Sequence, residues 1–322
     1  MTFVSIEGIK EIGKTPYFIT TEARGSQVSK YGITFIGHMA YDEVHHFGGG
    51  KIVAPGSAVL CGAMVSARIG VKTAAVVKMS LDEESITQPM KDLGVDVFII
   101  PADCTTYSRV IHKSENVDER DITLIRTAGL MKIEDIPELE SEYYHLGGIS
   151  DSEFDMALIN GLKARGYRLS TDMQSYVRQI TPVTNEINFA EAKNKEEIVS
   201  KMDMVKLDIV EARVCAGTED LEEAAKIFQS WGCPEIVVTK SDGVLARVDG
   251  VTYFEKFSNK SVIGRTGRGD TTFAAYQSWR LKHDVPTSLK FAAALVSVKM
   301  ETYGPFQGTL EDVYKRIEEE HS

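Results

Sequence analysis

Short apolar runs alternate along this chain with longer stretches whose apolar residues recur at helical spacing. Residues 33–37 (Ile-Thr-Phe-Ile-Gly) predict a buried strand, and residues 55–70 a helix with Val59, Ala63, Met64 and Ile69 on one face. Strands at 73–77 and 97–100 then bracket a helix at 82–93 that Gly94 closes. Between 105 and 126 the pattern changes to two extended segments around a polar turn at 115–121. Buried strands resume at 143–146, 167–170 and 204–207. A helix capped by Ser150 or Asp151 carries Phe154, Ala157, Leu158 and Leu162 inward as far as Gly166. Residues 220–232 form the clearest helix, with Asp220 and Glu223 as a capping-box-like pair. A strand at 235–239 leads to a hairpin turned by Asp249-Gly250. Two long helices, 270–282 and 287–302, follow, and Gly304-Pro305 stops the second. This alternation predicts an α/β fold, a parallel sheet with helices on both faces.

The bulk properties narrow the function classes. The 322 residues carry 43% hydrophobic and 26% charged positions, which suits a globular protein with a large core. A net charge of −11 with no basic stripe argues against nucleic acid as a partner. Cys61, Cys104, Cys215 and Cys233 lack metal-ligand spacing and are expected as reduced, packed thiols. No apolar run is long enough for a bilayer, and the N-terminus lacks the order of a secretion signal, so a cytoplasmic location is expected.

The densest chemistry lies in Gly264-Arg265-Thr266-Gly267-Arg268-Gly269-Asp270-Thr271-Thr272-Phe273. Three glycines and one carboxylate directly precede a helical pattern. Glycine lets the backbone turn tightly and approach a ligand. The first amides of the helix are unpaired and sit at the positive end of its dipole, a place that holds phosphate. Asp270 would repel that phosphate, so its use is to take a proton from a hydroxyl attacking it. Loop and carboxylate together suggest phosphoryl transfer to an alcohol. The spacing is neither the dinucleotide fingerprint nor a Walker A loop. A glycine-rich turn with Asp as the helix cap is the other reading of these residues.

The same segment resembles the Asp-Thr-Thr-Gly-Ala-Gly-Asp signature of the ribokinase, or PfkB, family of sugar and nucleoside kinases. The resemblance runs in order from about Gly32 over nearly the whole chain. It implies a ribokinase-like fold: a doubly wound, mostly parallel sheet with helices on both faces and a small β lid. Residues 32–322 would form the kinase domain, with lid segments near 43–54 and 104–127, after an extension over 1–31 to which no role is assigned. The implied reaction is ATP-dependent phosphorylation of a hydroxyl on a small sugar or polyol, with ATP and Mg²⁺ as cofactors. By resemblance Asp270 is the general base, and the amides of Gly267, Arg268, Gly269 and Asp270 line an anion hole for the moving phosphoryl group. The Asn-x-x-Glu element that organises Mg²⁺ through water falls on Asp208 and Glu211, with Asp in place of Asn. Asp42, in Gly37-His38-Met39-Ala40-Tyr41-Asp42, matches the carboxylate that binds substrate hydroxyls. Pro55-Gly56-Ser57-Ala58 stands in for the Gly-Gly element, so Gly56 is carried over as substrate-binding, while Leu60 falls near the expected Asn. Thr239 and Gly243 match the segment that approaches the nucleotide. Ala292, Ala293, Ala294 and Ser297 would either flank the adenine or simply pack closely.

Several departures carry expectations of their own. Arg265 and Arg268 occupy places that are usually neutral in the family, and an arginine beside an anion hole can clamp phosphate. Arg268 is the first candidate for contact with donor or substrate, and Arg265 is assigned to the nucleotide. Gly264 replaces an Asp that helps a monovalent-cation site in relatives. Asp172 and Gln174 are placed at the carboxyl end of the sheet. Lid edges that pair between subunits imply a homodimer. Two alternatives remain: a nucleoside kinase, with Tyr41, Phe47 and Tyr107 available to stack a base, and a catalytically inactive sugar- or nucleotide-binding regulator.

Overall fold

The computed structural model of the protein describes residues 30–114 and 120–319. The expected extension over 1–31 lies outside the described residues save for its last two positions, and so does most of the expected turn at 115–121. The first half of the chain contributes β1 (Tyr31–His38), β2 (Ala40–His45), β3 (Lys51–Gly56), β4 (Thr73–Met79), β5 (Asp96–Pro101), β6 (Thr106–His112), β7 (Arg120–Arg126) and β8 (Ser141–Leu146). The second half adds β9 (Leu169–Asp172), β10 (Arg178–Ile180), β11 (Ile187–Phe189), β12 (Met204–Asp208), β13 (Glu235–Thr239), β14 (Gly243–Val248) and β15 (Val251–Lys256). The helices are α1 (Ala58–Arg68), α2 (Gln88–Asp92), α3 (Met156–Ala164), α4 (Gln174–Val177), α5 (Lys195–Ser200), α6 (Ile209–Ala216), α7 (Leu221–Ser230), α8 (Arg268–Arg280), α9 (Val285–Met300) and α10 (Leu310–Glu319).

A nine-stranded sheet runs β15-β14-β13-β12-β9-β8-β1-β4-β5. Its seven strands from β5 to β13 pair parallel, and the hairpin β14–β15 closes one edge antiparallel. The hairpin turn puts Asp249 and Gly250 at φ 50° and 79°, the left-handed pair that a two-residue turn requires. Strand period explains the two cores. Ile33 and Phe35 of β1 face α1, α8 and α9, whereas Ile36 faces the opposite layer with α3, α6 and α7. Ala75 and Val77 against Val76, and Val237 against Ile236 and Val238, divide in the same way. Both faces are therefore covered, as a parallel sheet needs.

A separate four-stranded sheet, β3-β2-β6-β7, forms the lid. β1 passes into β2 across the single residue Met39, and β6 follows β5 after four residues, so the lid rises from the carboxyl ends of the parallel strands. His38 fixes that exit: its ring meets Thr106 Oγ1 at 2.8 Å and Gly129 O at 2.9 Å, and its N–H donates to Glu153 at 3.1 Å. Open α/β sheets bind ligands at this end.

Three local expectations give way. Pro55 and Gly56 end β3 rather than begin a helix, because β3 is an edge strand and its edge tolerates proline. Ser57 is the cap that starts α1. The helix expected after Ser150 or Asp151 is capped by Asp155, which accepts from Leu158 N at 2.8 Å. Asp220 caps α7, but Glu223 turns to Thr218 Oγ1, so the capping box is only half made.

α8 is tied to the sheet through Glu235 of β13, which accepts from Tyr276 Oη at 2.6 Å and from Arg280 Nε at 2.9 Å. Glu235→Gln should cost about 3 kcal/mol, as breaking a buried pair does. Scanning calorimetry reads the loss, and an unchanged melting temperature would show that this tie does not hold α8.

Candidate functional site

The loop before α8 is shaped by what its glycines exclude. A side chain at Gly264 would collide with the carbonyl of Thr302, and the Gly264 N–H donates to Met300 O at 2.8 Å, so the loop is zipped to the end of α9. Gly267 is the N-cap in left-handed conformation, φ 78°. Asp270 is therefore the third residue inside the helix and makes no capping bond, which removes the reading of Asp270 as a helix cap. A Cβ at Gly269 would stand 2.9 Å from the Lys206 ammonium, so glycine is what lets that cation reach the helix start. Thr271 N donates to Gly267 O at 2.9 Å, while the amides of Gly269 and Asp270 have no main-chain acceptor among the described residues. The amide of Arg268 is a correction to the expected anion hole: it donates to Arg265 O at 3.0 Å and is already engaged.

The surroundings of Asp270 move its titration toward neutral pH. Burial and then the neighbouring Asp172 carboxylate push its pKa up to about 6, against the pull of Lys206, Arg178 and Lys299. Asp172 sits at the end of β9 and pairs with Lys206 of β12 at 2.9 Å, with both side chains almost fully buried. Glu211 completes that cluster 3.6 Å from Lys206. Burial opposes the charge on Lys206, yet Asp172, Glu211 and Asp208 outweigh it and raise its pKa above the ordinary lysine value.

On the lid, Asp42 accepts from Ser108 Oγ at 2.5 Å across the β2–β6 pair. Gly56 lies against the same carboxylate, so close that a side chain there would overlap it. The two residues expected to bind substrate are thus brought together, by strand pairing rather than by nearness in sequence. Burial raises the Asp42 pKa, with Ser108, Arg178 and Arg120 working against it. Burial pushes the Cys61 thiol of α1 up to about 12, and Asp270 and Asp42 both add to the shift. Cys61 also lies beneath Gly267, 3.1 Å from where its Cβ would be, so lid carboxylate and loop carboxylate act on one space. The expected stacking aromatics fare differently. Tyr41 and Tyr107 pair opposite each other one position from the Asp42–Ser108 pair, and strand alternation turns them to the other lid face. Tyr107 there donates to Glu43 at 2.8 Å.

Asp208 and Glu211 form a full capping box at the start of α6. Asp208 Oδ1 accepts from Val210 N at 2.8 Å and Glu211 N at 2.9 Å, and Glu211 Oε2 accepts from Asp208 N at 2.6 Å. Glu211 Oε1 is buried with no hydrogen-bond partner. Burial, then Asp208, lift the Glu211 pKa well above the ordinary carboxylate range. Among the described residues no group of three or more His, Cys, Asp or Glu is arranged to hold a metal directly. The orphaned oxygen fits a Mg²⁺ held through water and donor phosphate rather than in a protein cage.

On the expected nucleotide side, Thr239 ends β13 with its hydroxyl buried and unpartnered, and Gly243 starts β14 under the Phe254 ring. Lys240 N donates to Gly243 O at 3.0 Å, which makes the turn tight. Ala292, Ala293, Ala294 and Ser297 are fully packed, and Ser297 Oγ accepts from Ser258 N at 2.8 Å. Close helix packing is therefore the reading the structure gives for this face of α9. Arg265 is within electrostatic reach of the lid, where it helps to lower the pKa of His112 after burial, Arg120 and His46. Arg268 is half-buried at the first helical position. Gln174 donates to Gly148 O at 2.9 Å and is structural.

No protein-family model matches the chain. Over 250 residues it is 26% identical to the cytidine kinase of Thermococcus kodakarensis, a match spanning 74% of this chain and 84% of that protein. A solved pyrophosphate-dependent kinase of the ribokinase family, complexed with a pyrophosphate analogue and myo-inositol, is 32% identical with a TM-score of 0.80, covering 88% of this chain and 99% of that one. The chain belongs to the ribokinase family. A sulfate complex of a pyrophosphate-dependent kinase in this family agrees, at 34% identity and TM-score 0.81 over 88% of this chain and 99% of that one. Ribokinase of Arabidopsis thaliana, 17% identical with a TM-score of 0.70 over 89% of this chain and 98% of that one, shares the fold. As a ribokinase-family kinase the protein is a phosphotransferase, and no helix among its described residues is long and apolar enough to cross a membrane.

Sequence reasoning missed Lys206, Lys299, Arg178, Ser108 and Cys61. Lys206 and Lys299 did leave a signal: each is a lone charge inside an otherwise apolar buried run.

Three predictions follow from this geometry. Asp270→Asn should keep the fold and donor binding but lose at least about a hundredfold in turnover, the low end for removing a general base. A base must be unprotonated, so kcat/KM of the unaltered protein should fall as pH drops through about 6 and level off above it. Gly56→Ala should displace the Asp42 carboxylate and raise the acceptor KM about tenfold with the donor KM unchanged; equal effects on both constants would detach Asp42 from the acceptor.

Proposed function

We propose that this protein transfers a phosphoryl group from pyrophosphate to a hydroxyl of a small polyol, with myo-inositol the first acceptor to test. The observation that carries the reading is the donor end of the site. The unpaired amides at the start of α8 lie against the Lys206 ammonium, while the small-residue face of α9 that an adenine would need is filled by packing. A compact, highly charged donor suits such a place better than a nucleotide. Three solved relatives at 31–34% identity, each covered over 99% of its length, are described as pyrophosphate-dependent, and two of the three descriptions name myo-inositol or a myo-inositol kinase. On the acceptor side, a carboxylate such as Asp42 accepts from two neighbouring hydroxyls well, and no Phe, Tyr or Trp of β2 or β6 shares its face.

In this mechanism Asp42, fixed by Ser108 and Gly56, orients the acceptor beneath the lid. Asp270 takes the proton of the attacking hydroxyl. The amides of Gly267, Gly269 and Asp270 and the Lys206 ammonium stabilise charge spread over the equatorial oxygens in a loose transition state. Asp208 and Glu211 would hold Mg²⁺ through water, and the ion supplies neutralisation of donor charge when bound. Arg268 and Arg265 border the same loop and would meet the donor and the lid respectively.

The second reading is ATP-dependent phosphorylation of a nucleoside, which the 26% identity to cytidine kinase favours. Purified protein should be offered pyrophosphate or ATP with myo-inositol, other polyols, sugars and cytidine, and the products read by mass spectrometry. Turnover is expected with pyrophosphate and a polyol. Turnover confined to ATP and cytidine would replace this proposal with the second reading, and tight ligand binding without any turnover would make the protein a regulator.

A further inference from the structure

Lys299 is the penultimate residue of α9 and is 1% exposed. Its ammonium donates to the carbonyl oxygens of Gly264 and Thr266, and a Cβ on Gly267 would lie 3.9 Å from it. Burial lowers its pKa, while Cys61 and Asp270 oppose the change. An ammonium taken out of water is costly, and a packing role alone is met by leucine or methionine. What the charge supplies is orientation. A trans peptide is planar, with its C=O and N–H pointing opposite ways. Gripping the Thr266 carbonyl therefore aims the Gly267 N–H away from Lys299. Gly264, with no room for a side chain, cannot bring a carboxylate to this spot.

We propose that Lys299 is the resident cation of the donor cradle: bound to Gly264 O and Thr266 O, it holds the Gly267 N–H toward the incoming phosphate, so turnover needs no soluble monovalent cation. This rests on the reading of the loop as a phosphoryl-donor cradle. Lys299 is a positioning residue, since it acts through the peptide it holds.

The test compares the unaltered protein, Lys299→Met and Lys299→Ala in potassium, ammonium or tetramethylammonium chloride at equal ionic strength. The unaltered protein should show one kcat and one donor KM in all three salts; a severalfold rise with potassium overturns the inference. Lys299→Met, folded by circular dichroism, should lose at least about tenfold in kcat with the acceptor KM nearly unchanged, as misplacement of a catalytic group does. Lys299→Ala should regain part of that loss with ammonium or potassium but not with tetramethylammonium. A folded Lys299→Met with ordinary kcat and donor KM overturns the proposal. So does a loss in Lys299→Ala that no small cation repairs, which would leave a packing role. If neither variant folds, the salt comparison on the unaltered protein decides. If no donor and acceptor pair turns over, the proposed function has failed. Calorimetry of pyrophosphate binding then reads the inference alone: equal affinity in potassium and tetramethylammonium supports it, and potassium-dependent affinity overturns it.

Discussion

The structure turns on keeping the start of α8 rigid while leaving its amides unspent. A helix start buried in protein normally has its free N–H groups satisfied by a capping side chain. Here glycine holds the cap position and supplies none. Two buried cations on different elements border it instead: Lys299 on α9 binds the loop carbonyls, and Lys206 on β12 lies against Gly269. Each is matched by local negative charge, Lys206 by Asp172 and Glu211, Lys299 by two carbonyl dipoles. What is left over is the partial positive charge of the helix-start amides, and the two lysines restrain the rise that burial and Asp172 impose on the Asp270 pKa.

Much of this was legible in the chain. The strand and helix alternation, the two extended segments between 105 and 126, the hairpin at Asp249-Gly250 and the glycine-rich helix start are written in local pattern, because each depends on residues near one another in sequence. Asp42 beside Gly56 could be named only through family resemblance, since the β2–β3 register that joins them is a tertiary fact. The small residues of α9 show why pattern alone stalls. Close packing and an adenine wall both need Ala and Ser, and only the presence of β14 and β15 across from them decides for packing.

The misplaced helix start at Pro55 has a comparable cause. Proline marks both the first turn of a helix and the outer strand of a sheet, and the sequence does not say which strand lies outermost. Arg268 was expected to lend its amide to the phosphate. A short loop cannot both turn back on itself and leave every N–H free, and the bond to Arg265 O is what closes the turn. Lys206 and Lys299 were passed over because a lone lysine in an apolar run was read as part of the run. Its cost when buried makes it the stronger clue.

The chain also divides its labour between two sheets. On the proposed reading the residues that would grip the phosphate belong to β9, β12, α8 and α9, whereas Asp42, Ser108 and Gly56 belong to a lid with its own hydrogen-bond ladder. The lid joins the body through the clamp at His38 and the short passage from β5 to β6. On that reading, substitutions along the lid would remodel the choice of alcohol while leaving the transfer apparatus undisturbed. A scaffold partitioned in this way is open to diversification: descendants can exchange one acceptor for another in small steps without rebuilding the chemistry.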